Sequence, residues 1–235
     1  MQLFYTQQIN DNIAILEGDE WQHCIKTLRK RIGDQVLLMD GVGHYYETEL
    51  IEITKKNAAL KILRQEKRPL PWDFHIHLAI APTKNMDRLE WFVEKAIEIG
   101  INEITPIQCR YSERKNLRLD RLQKIALSAA KQSHKFVLPQ LNELTDFKSF
   151  ISEHQSEQQF IAHCYTDNLP HLKSAFQYNS GTSVLVMIGP EGDFSEEEVE
   201  EARIVGYRAI GLGKSRLRTE TAGIVACHSL QLSVD

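Results

Sequence analysis

Much that would classify this 235-residue chain at once is missing from it. No apolar run approaches the roughly 20 residues that cross a bilayer, and the opening residues carry no signal-peptide pattern. A membrane-spanning or secreted protein is therefore not expected. Cysteine is scarce: Cys24, Cys109, Cys164 and Cys227 lie far apart and form no CxxC, which fits reduced, mostly buried thiols in a cytoplasmic protein. No GxGxxG follows the first strand pattern and no GxSxG occurs, so a dinucleotide-binding domain and a serine-hydrolase elbow are both excluded. Gly213-Lys214-Ser215 resembles the end of a P-loop, but Arg208 stands where that motif needs its first glycine. His75 and His77 alternate along one strand without cysteine or carboxylate at ligand spacing, so no metal is expected. Neither sign of charge dominates. The formal net charge is −4, with 10 basic and 10 acidic residues in positions 1–70 and 18 and 22 in the remainder.

What is present begins with Val184-Leu185-Val186-Met187-Ile188, an unbroken apolar run suited to a strand buried on both faces of a parallel sheet. Gly189-Pro190-Glu191-Gly192 stops that strand, the two glycines free to take positive φ and to let another molecule approach bare backbone. Ser195 and Glu198 then spell a capping box for a new helix. Strand, tight turn and capped helix is the arrangement that places ligands at the carboxyl edge of an open α/β sheet, although a purely structural turn fits the same residues.

The chain divides at Lys67-Arg68-Pro69-Leu70-Pro71, a stiff joint. Before it, short strands over 3–5, 13–16, 35–39, 45–53 and 58–63 make a small β-rich domain, with Asp40-Gly41-Val42-Gly43 as one turn. A helix over 20–30, capped by Asp19, buries Trp21, Cys24, Ile25 and Leu28 and ends in a cationic cluster around Arg29. Two readings of that cluster stand: complementation of the helix dipole, or contact with phosphate. After the joint, strands over 75–81, 103–108, 159–165, 184–188 and 208–212 alternate with helices over 85–99, 119–134, 145–153, 169–176, 196–205 and 220–232. Alternation of this kind predicts a mainly parallel sheet with helices on both faces.

A second loop, residues 211–223, holds Gly211, Gly213 and Gly223 beside Lys214, Arg216, Arg218, Thr219, Glu220 and Thr221. Capping would explain the threonines but not the glycines beside arginines. A third feature is the stretch 110–135, where Arg110, Arg114, Lys115, Arg118, Arg121, Lys124, Lys131 and Lys135 face Glu113 and Asp120. A solvated face and a polyanion contact both fit it; its place after a strand's carboxyl end favours neither on charge alone.

These blocks together resemble the SPOUT class of RNA methyltransferases and, within it, the RsmE family, which methylates N3 of a uridine in 16S ribosomal RNA. The resemblance rests on Ile188-Gly189-Pro190-Glu191-Gly192 with Phe194-Ser195, on Leu212-Gly213 with Leu217-Arg218-Thr219-Glu220-Thr221-Ala222, and on Glu94-Lys95-Ala96-Ile97-Glu98-Ile99-Gly100-Ile101. Ser112-Glu113-Arg114 and Ala129-Ala130-Lys131-Gln132-Ser133 are two further blocks, while His23, Leu28-Arg29, Gly33-Asp34 and Asp40-Gly41 are similar to the family's PUA-like module. Asp193 stands where the family has a second glycine, Leu3 near an expected arginine, and Lys131 where an acid is common.

The resemblance implies an α/β fold: a PUA-like RNA-binding β-barrel over 1–68, then a SPOUT domain over 72–235 with a trefoil knot, a mainly parallel sheet and helices on both faces. It implies S-adenosylmethionine as cofactor, bound by Ile188, Gly189, Pro190, Glu191 and Gly192 from the first loop. From the second come Gly211, Leu212, Gly213, Leu217, Arg218, Thr219, Thr221 and Ala222. It assigns catalysis to Arg114 and Glu220, and RNA contact to Arg29, Arg110, Lys115 and Arg118. The implied partners are 16S ribosomal RNA in the small subunit and a second copy of the chain, in the cytoplasm, with no membrane and no metal. A SPOUT enzyme acting on ribose 2′-OH, or a silent RNA-binding relative without cofactor, would share most of these features.

Overall fold

The computed structural model describes residues 2–166 and 168–233. Met1, Asp167, Val234 and Asp235, which the two expected domain spans include, lie outside the described residues. Two compact units result: Met1–Pro71 with Leu127–Leu138, and Trp72–Ala126 with Pro139–Asp235.

The first unit is built from β1 (Leu3–Tyr5), β2 (Ile9–Asn10), β3 (Ile13–Glu17), a short helix α1 (Gly18–Trp21), β4 (Gln35–Met39), β5 (His44–Ile53) and β6 (Asn57–Lys67). These strands form one six-stranded sheet in the order β1-β4-β5-β6-β3-β2, antiparallel apart from β1 beside β4. The register slips between Glu47 and Thr48 and again between Leu50 and Glu52, the bulges that bend a long hairpin. The sheet curls around Phe4, Leu16, Trp21, Leu38, Leu50 and Leu60. This is the small PUA-like β-barrel domain expected, in the form of a curled half-barrel in which β1 on β4 and the two-residue β2 on β3 lie at opposite ends of the strand order. The Asp40 turn forms as its residues dictate, with Gly41 at φ +79 and Gly43 at φ +102. The Asp40 carboxylate accepts from the amides of Val42 and His44 and from the Tyr46 hydroxyl. Burial alone would raise its pKa; those hydrogen bonds hold it below the usual carboxylate value.

The helix expected over 20–30 is displaced. It starts at Gly18, continues as a π-helical turn over Gln22–Thr27, and has Glu17 rather than Asp19 at its N-cap, without a side-chain cap bond. Trp21 and Cys24 are buried as expected, but Leu28 is 40% exposed because the helix has already ended.

In the second unit, β7 (His75–Ile80), α2 (Met86–Ile99), β8 (Glu103–Gln108) and the first half of α3 (Leu119–Gln132), whose residues from Leu127 on belong to the first unit, come first. The strands β9 (Gln140–Leu141) and β10 (Thr145–Asp146), α4 (Phe147–Glu153), β11 (Gln158–Ala162) and α5 (Leu172–Ala175) follow. The chain then runs through β12 (Ser183–Ile188), α6 (Glu196–Ile204), β13 (Arg208–Ile210) and α7 (Thr219–Gln231). The sheet order is β10-β8-β7-β12-β11-β13, with β9 also on β8, and every pairing is parallel. β12 is therefore central, and its five apolar residues are at most 2% exposed. One face packs Ala79, Ile107, Ile161, Leu185 and Met187 against Phe147 and Phe150 of α4 and Ala202 of α6. On the other face α2 and α7 pack together, so closely that a Cβ on Gly223 would lie 2.5 Å from the Phe92 ring.

Local signals set most boundaries. Asn85 caps α2 through the Asp87 amide, and Gly100 ends that helix at φ +131. Asp146 caps α4, so the helix expected from 145 starts at Phe147. The helix expected over 169–176 shrinks to Leu172–Ala175, capped by His171. Among the described residues, no helix is long and apolar enough to cross a membrane.

Candidate functional site

Because all strands of the larger sheet run one way, the loops after β7, β8, β11, β12 and β13 share its carboxyl edge, where open α/β sheets bind ligands. The loop after β12 is the most constrained. The Ile188 carbonyl accepts from the Ala81 amide at 2.9 Å. A Cβ on Gly189 would lie 3.1 Å from both the Phe194 amide nitrogen and its ring, so the return of the chain needs a residue without one. Pro190 accepts from the Asp193 amide at 2.9 Å. Glu191 reaches out of the loop, and its carboxylate accepts from the Lys84 amide at 3.0 Å. Gly192 backs onto Tyr111, whose Cβ would be 3.1 Å from an added Cβ. The capping box forms: Ser195 and Glu198 each accept from the other's backbone amide.

One expectation fails here. Gly189 and Gly192 do not take positive φ; Asp193 does, at +66. Its carboxylate accepts from the Phe194 amide at 2.8 Å and, from the neighbouring loop, the Cys164 amide at 2.9 Å. The turn geometry that a glycine gives by default is here held by a side chain.

The second loop is less uniform than its sequence implied. Gly211 donates to Pro170 at 3.0 Å and accepts from Leu172 at 3.1 Å, so both of its backbone groups are engaged within the protein. Gly213, at φ +120, has nothing within 4 Å of where a Cβ would sit and offers open backbone. Leu212 and Leu217 flank it half-buried, and Arg218 is exposed. Arg218, not a threonine, occupies the N-cap of α7, with no side-chain cap bond. Thr219 and Glu220 are buried in the first turn, with Thr221 and Ala222 half-buried behind them. Glu220 lies 3.8 Å from the Arg88 guanidinium.

The cations separate into two groups. Arg110 and Lys115 line a cavity of about 370 Å³ that also presents Asp146, Glu197, Glu198 and Glu201. Arg110 donates its amide to Glu198 at 2.8 Å and its guanidinium to Glu197 at 3.1 Å. Arg114 and Arg118 line a smaller cavity of about 80 Å³ with Glu90, Asn116 and Arg121. Arg114 donates to the Lys84 carbonyl at 2.9 Å, while its Nε is buried without a hydrogen-bond partner. Lys84 thus ties Arg114 to Glu191: the loops after β7, β8 and β12 are fastened to one another. Arg118 pairs with Asp120 and Arg121 with Glu90, so the apparent excess of positive charge is partly neutralised in place. Arg29 belongs to the first unit, exposed and at φ +54 just beyond the helix rather than on it. Sequence reasoning gave no role to Lys84, Tyr111 or Tyr165; nothing short of the fold shows that three loops meet around residues 189–194.

A parallel α/β unit with its loops open at the carboxyl edge, in a chain that also carries a curled β-sheet unit, defines a two-unit α/β protein of the kind that binds its ligand at that edge. The chain belongs to the RNA methyltransferase family: the model of the RNA methyltransferase domain matches residues 70–231, and that of the RNA methyltransferase PUA domain residues 16–63. Among its relatives is the ribosomal RNA small subunit methyltransferase E of Bacillus subtilis (strain 168), 27% identical over 233 residues, covering 94% of this chain and 90% of the relative. The crystal structure of a probable rRNA-methyltransferase from Porphyromonas gingivalis superposes with a TM-score of 0.90 at 37% identity, covering 100% of both chains. A ribosomal RNA small subunit methyltransferase E from Neisseria gonorrhoeae, bound to S-adenosyl methionine, superposes with a TM-score of 0.83 at 27% identity, covering 99% and 97%.

Proposed function

We propose that this protein transfers the methyl group of S-adenosylmethionine to N3 of one uridine in the ribosomal RNA of the small subunit. The observation that carries the proposal is the fastening of Glu191, Lys84 and Arg114, which joins the cofactor loop to a cation-bearing loop at the ligand edge of a family-typical sheet. The residues fit the cofactor. Gly213 offers open backbone, Leu212 and Leu217 offer half-buried apolar surface, and residues 188–192 form a turn rigid enough to hold a ligand.

Bound S-adenosylmethionine supplies a methyl carbon already activated by its sulfonium. The protein's task is alignment of the attack and removal of the N3 proton. Uracil N3 lies on the pairing edge, so the base is held unpaired or flipped. Arg114, with a buried donor still open, orients the base or its phosphate; Arg118 and Lys115 hold flanking phosphates, and Arg29 adds a contact from residues 1–68. Glu220, buried in the first turn of α7 and 3.8 Å from the Arg88 guanidinium, holds charge at that helix end. A trefoil knot formed by the cofactor loops, a homodimer with sites near its interface, and a cytoplasmic location complete the reading.

The test uses small subunits from a strain lacking this methylation, incubated with the protein and labelled S-adenosylmethionine, with the RNA then digested to nucleosides. One label per subunit, recovered as 3-methyluridine, is expected. Label in a 2′-O-methylated nucleoside overturns the reaction and points to ribose chemistry.

A further inference from the structure

Tyr111 and Tyr165 are each 47% exposed, and both stand against the loop after β12. They come from different loops, those after β8 and β11, and neither belongs to the residues assigned above to cofactor, phosphate or catalysis. Leaving two large rings half in water forgoes the gain from burying them, so what they face is of interest.

Their placement is fixed rather than incidental. Tyr111 sits inside a tight turn closed by Ser112, which donates its amide to Cys109 and accepts the Cys109 amide on its hydroxyl, both at 3.0 Å. Its Cβ packs on Gly192. Tyr165 follows Cys164, whose amide is held by Asp193, and its own hydroxyl donates to the Phe194 carbonyl. Both residues are therefore anchored on residues 192–194, Tyr111 at Gly192 and Tyr165 at Phe194. The Arg110 guanidinium lies 5.8 Å from the Tyr111 ring centroid, and the His163 ring 5.9 Å from that of Tyr165. Flat, pre-positioned rings beside a cation are what an unpaired base needs: stacking works for every base, and little side-chain freedom is left to lose.

We infer that Tyr111 and Tyr165 form a stacking platform for unpaired nucleobases of the RNA strand that enters the site over residues 192–194. The inference rests on the proposed RNA substrate but not on which atom is methylated. Arg110 extends the platform: the acidic partner of its guanidinium, Glu197, lies in exposed, exchangeable geometry, and a phosphate beside the stacked base would compete for that guanidinium.

The probe is a short single-stranded oligouridine containing one 2-aminopurine, whose fluorescence is quenched on stacking. The parent protein is expected to quench it at low salt, and Tyr111→Ala and Tyr165→Ala each to weaken binding about tenfold with loss of quenching. Tyr111→Phe and Tyr165→Phe keep the ring and are expected to retain both; they also show whether any loss follows from the ring rather than from misfolding. The affinity for S-adenosylmethionine alone, by calorimetry, is expected to change less than twofold in the Ala variants. Absence of quenching by the parent overturns the platform, whatever the methylation assay gives. Quenching without methyl transfer to the small subunit leaves the platform standing and overturns the reaction instead. A fall in cofactor affinity matching the fall in oligonucleotide affinity reassigns the rings to the cofactor loop and overturns the inference.

Discussion

Asp193 shows how one side chain can do the work of a missing glycine. At φ +66 a residue with a Cβ carries a strain on the order of 1 kcal/mol, least for Asp and Asn. Its carboxylate offsets this by accepting two backbone amides, each bond to an ionised acceptor contributing about 1.5–3 kcal/mol. The bonds therefore outweigh the strain, and the loop is held more tightly than a glycine would hold it. Asp193→Ala keeps the strain and loses both bonds, so denaturant unfolding should show a destabilisation of about 2–4 kcal/mol and calorimetry a weaker affinity for S-adenosylmethionine. Asp193→Gly removes the strain as well and should lose roughly 1 kcal/mol less than the Ala variant. An Ala variant as stable as the parent would show that the carboxylate bonds contribute nothing.

The same accounting decides the packing of α7 on α2. Gly223 is buried within α7, where glycine costs about 1 kcal/mol against alanine in helix propensity. Propensity alone predicts that Gly223→Ala stabilises. The geometry predicts the reverse: the new Cβ would lie 2.5 and 2.8 Å from atoms of the fully buried Phe92 ring and 3.0 Å from Ile80 on β7. A ring enclosed on all sides has nowhere to turn, and overpacking of this kind costs about 1–3 kcal/mol. Net destabilisation in a melting experiment is expected, with relief by Phe92→Leu in the same chain; a stabilised Gly223→Ala would mean the helices separate without penalty. Glycine in a helix is a weak sign in a sequence, and this contact is legible only in three dimensions. Other elements were legible beforehand because their signals are local: the apolar run of β12, the Ser195–Glu198 box, the Asn85 and Gly100 ends of α2. The helix after β3 was misplaced because Asp19 looks like a cap while Gly18 can start the turn earlier. Short strands such as β9 and β10 left no pattern, since two residues cannot show a period. At the candidate site, the two glycine-bearing loops, 189–192 and 211–223, stand out in the sequence. Their division of labour does not, because it depends on which backbone groups, such as those of Gly211, are already engaged elsewhere.

At the scale of the whole molecule, attraction to RNA has to work against a net charge of −4. A global field is therefore not the source of affinity, and the local cations decide it. Among the cations of residues 110–135, Arg110 is paired with Glu197, Arg118 with Asp120, Arg121 with Glu90 and Lys131 with Glu20. These pairs are not equivalent. The Arg110 and Arg118 pairs are well exposed, contribute little to stability, and yield readily to a phosphate. Lys131 and Glu20 are each only 16% exposed, and Glu20 also accepts the Tyr5 amide, so this pair stays closed and serves the fold of the first unit. Binding should therefore release counterions through Arg110, Arg114, Lys115 and Arg118 and not through Lys131. The combined Arg114→Ala and Arg118→Ala variant should flatten the log–log dependence of RNA affinity on salt by about one to two counterions, with cofactor affinity little changed. Lys131→Ala should leave that slope intact while lowering the melting temperature, because it strands the half-buried Glu20 carboxylate. Equal slopes in the double variant and the parent would mean that the loop after β8 does not meet phosphate at all. A slope change in Lys131→Ala, with stability preserved, would move the electrostatic contact from the sheet edge to the first unit.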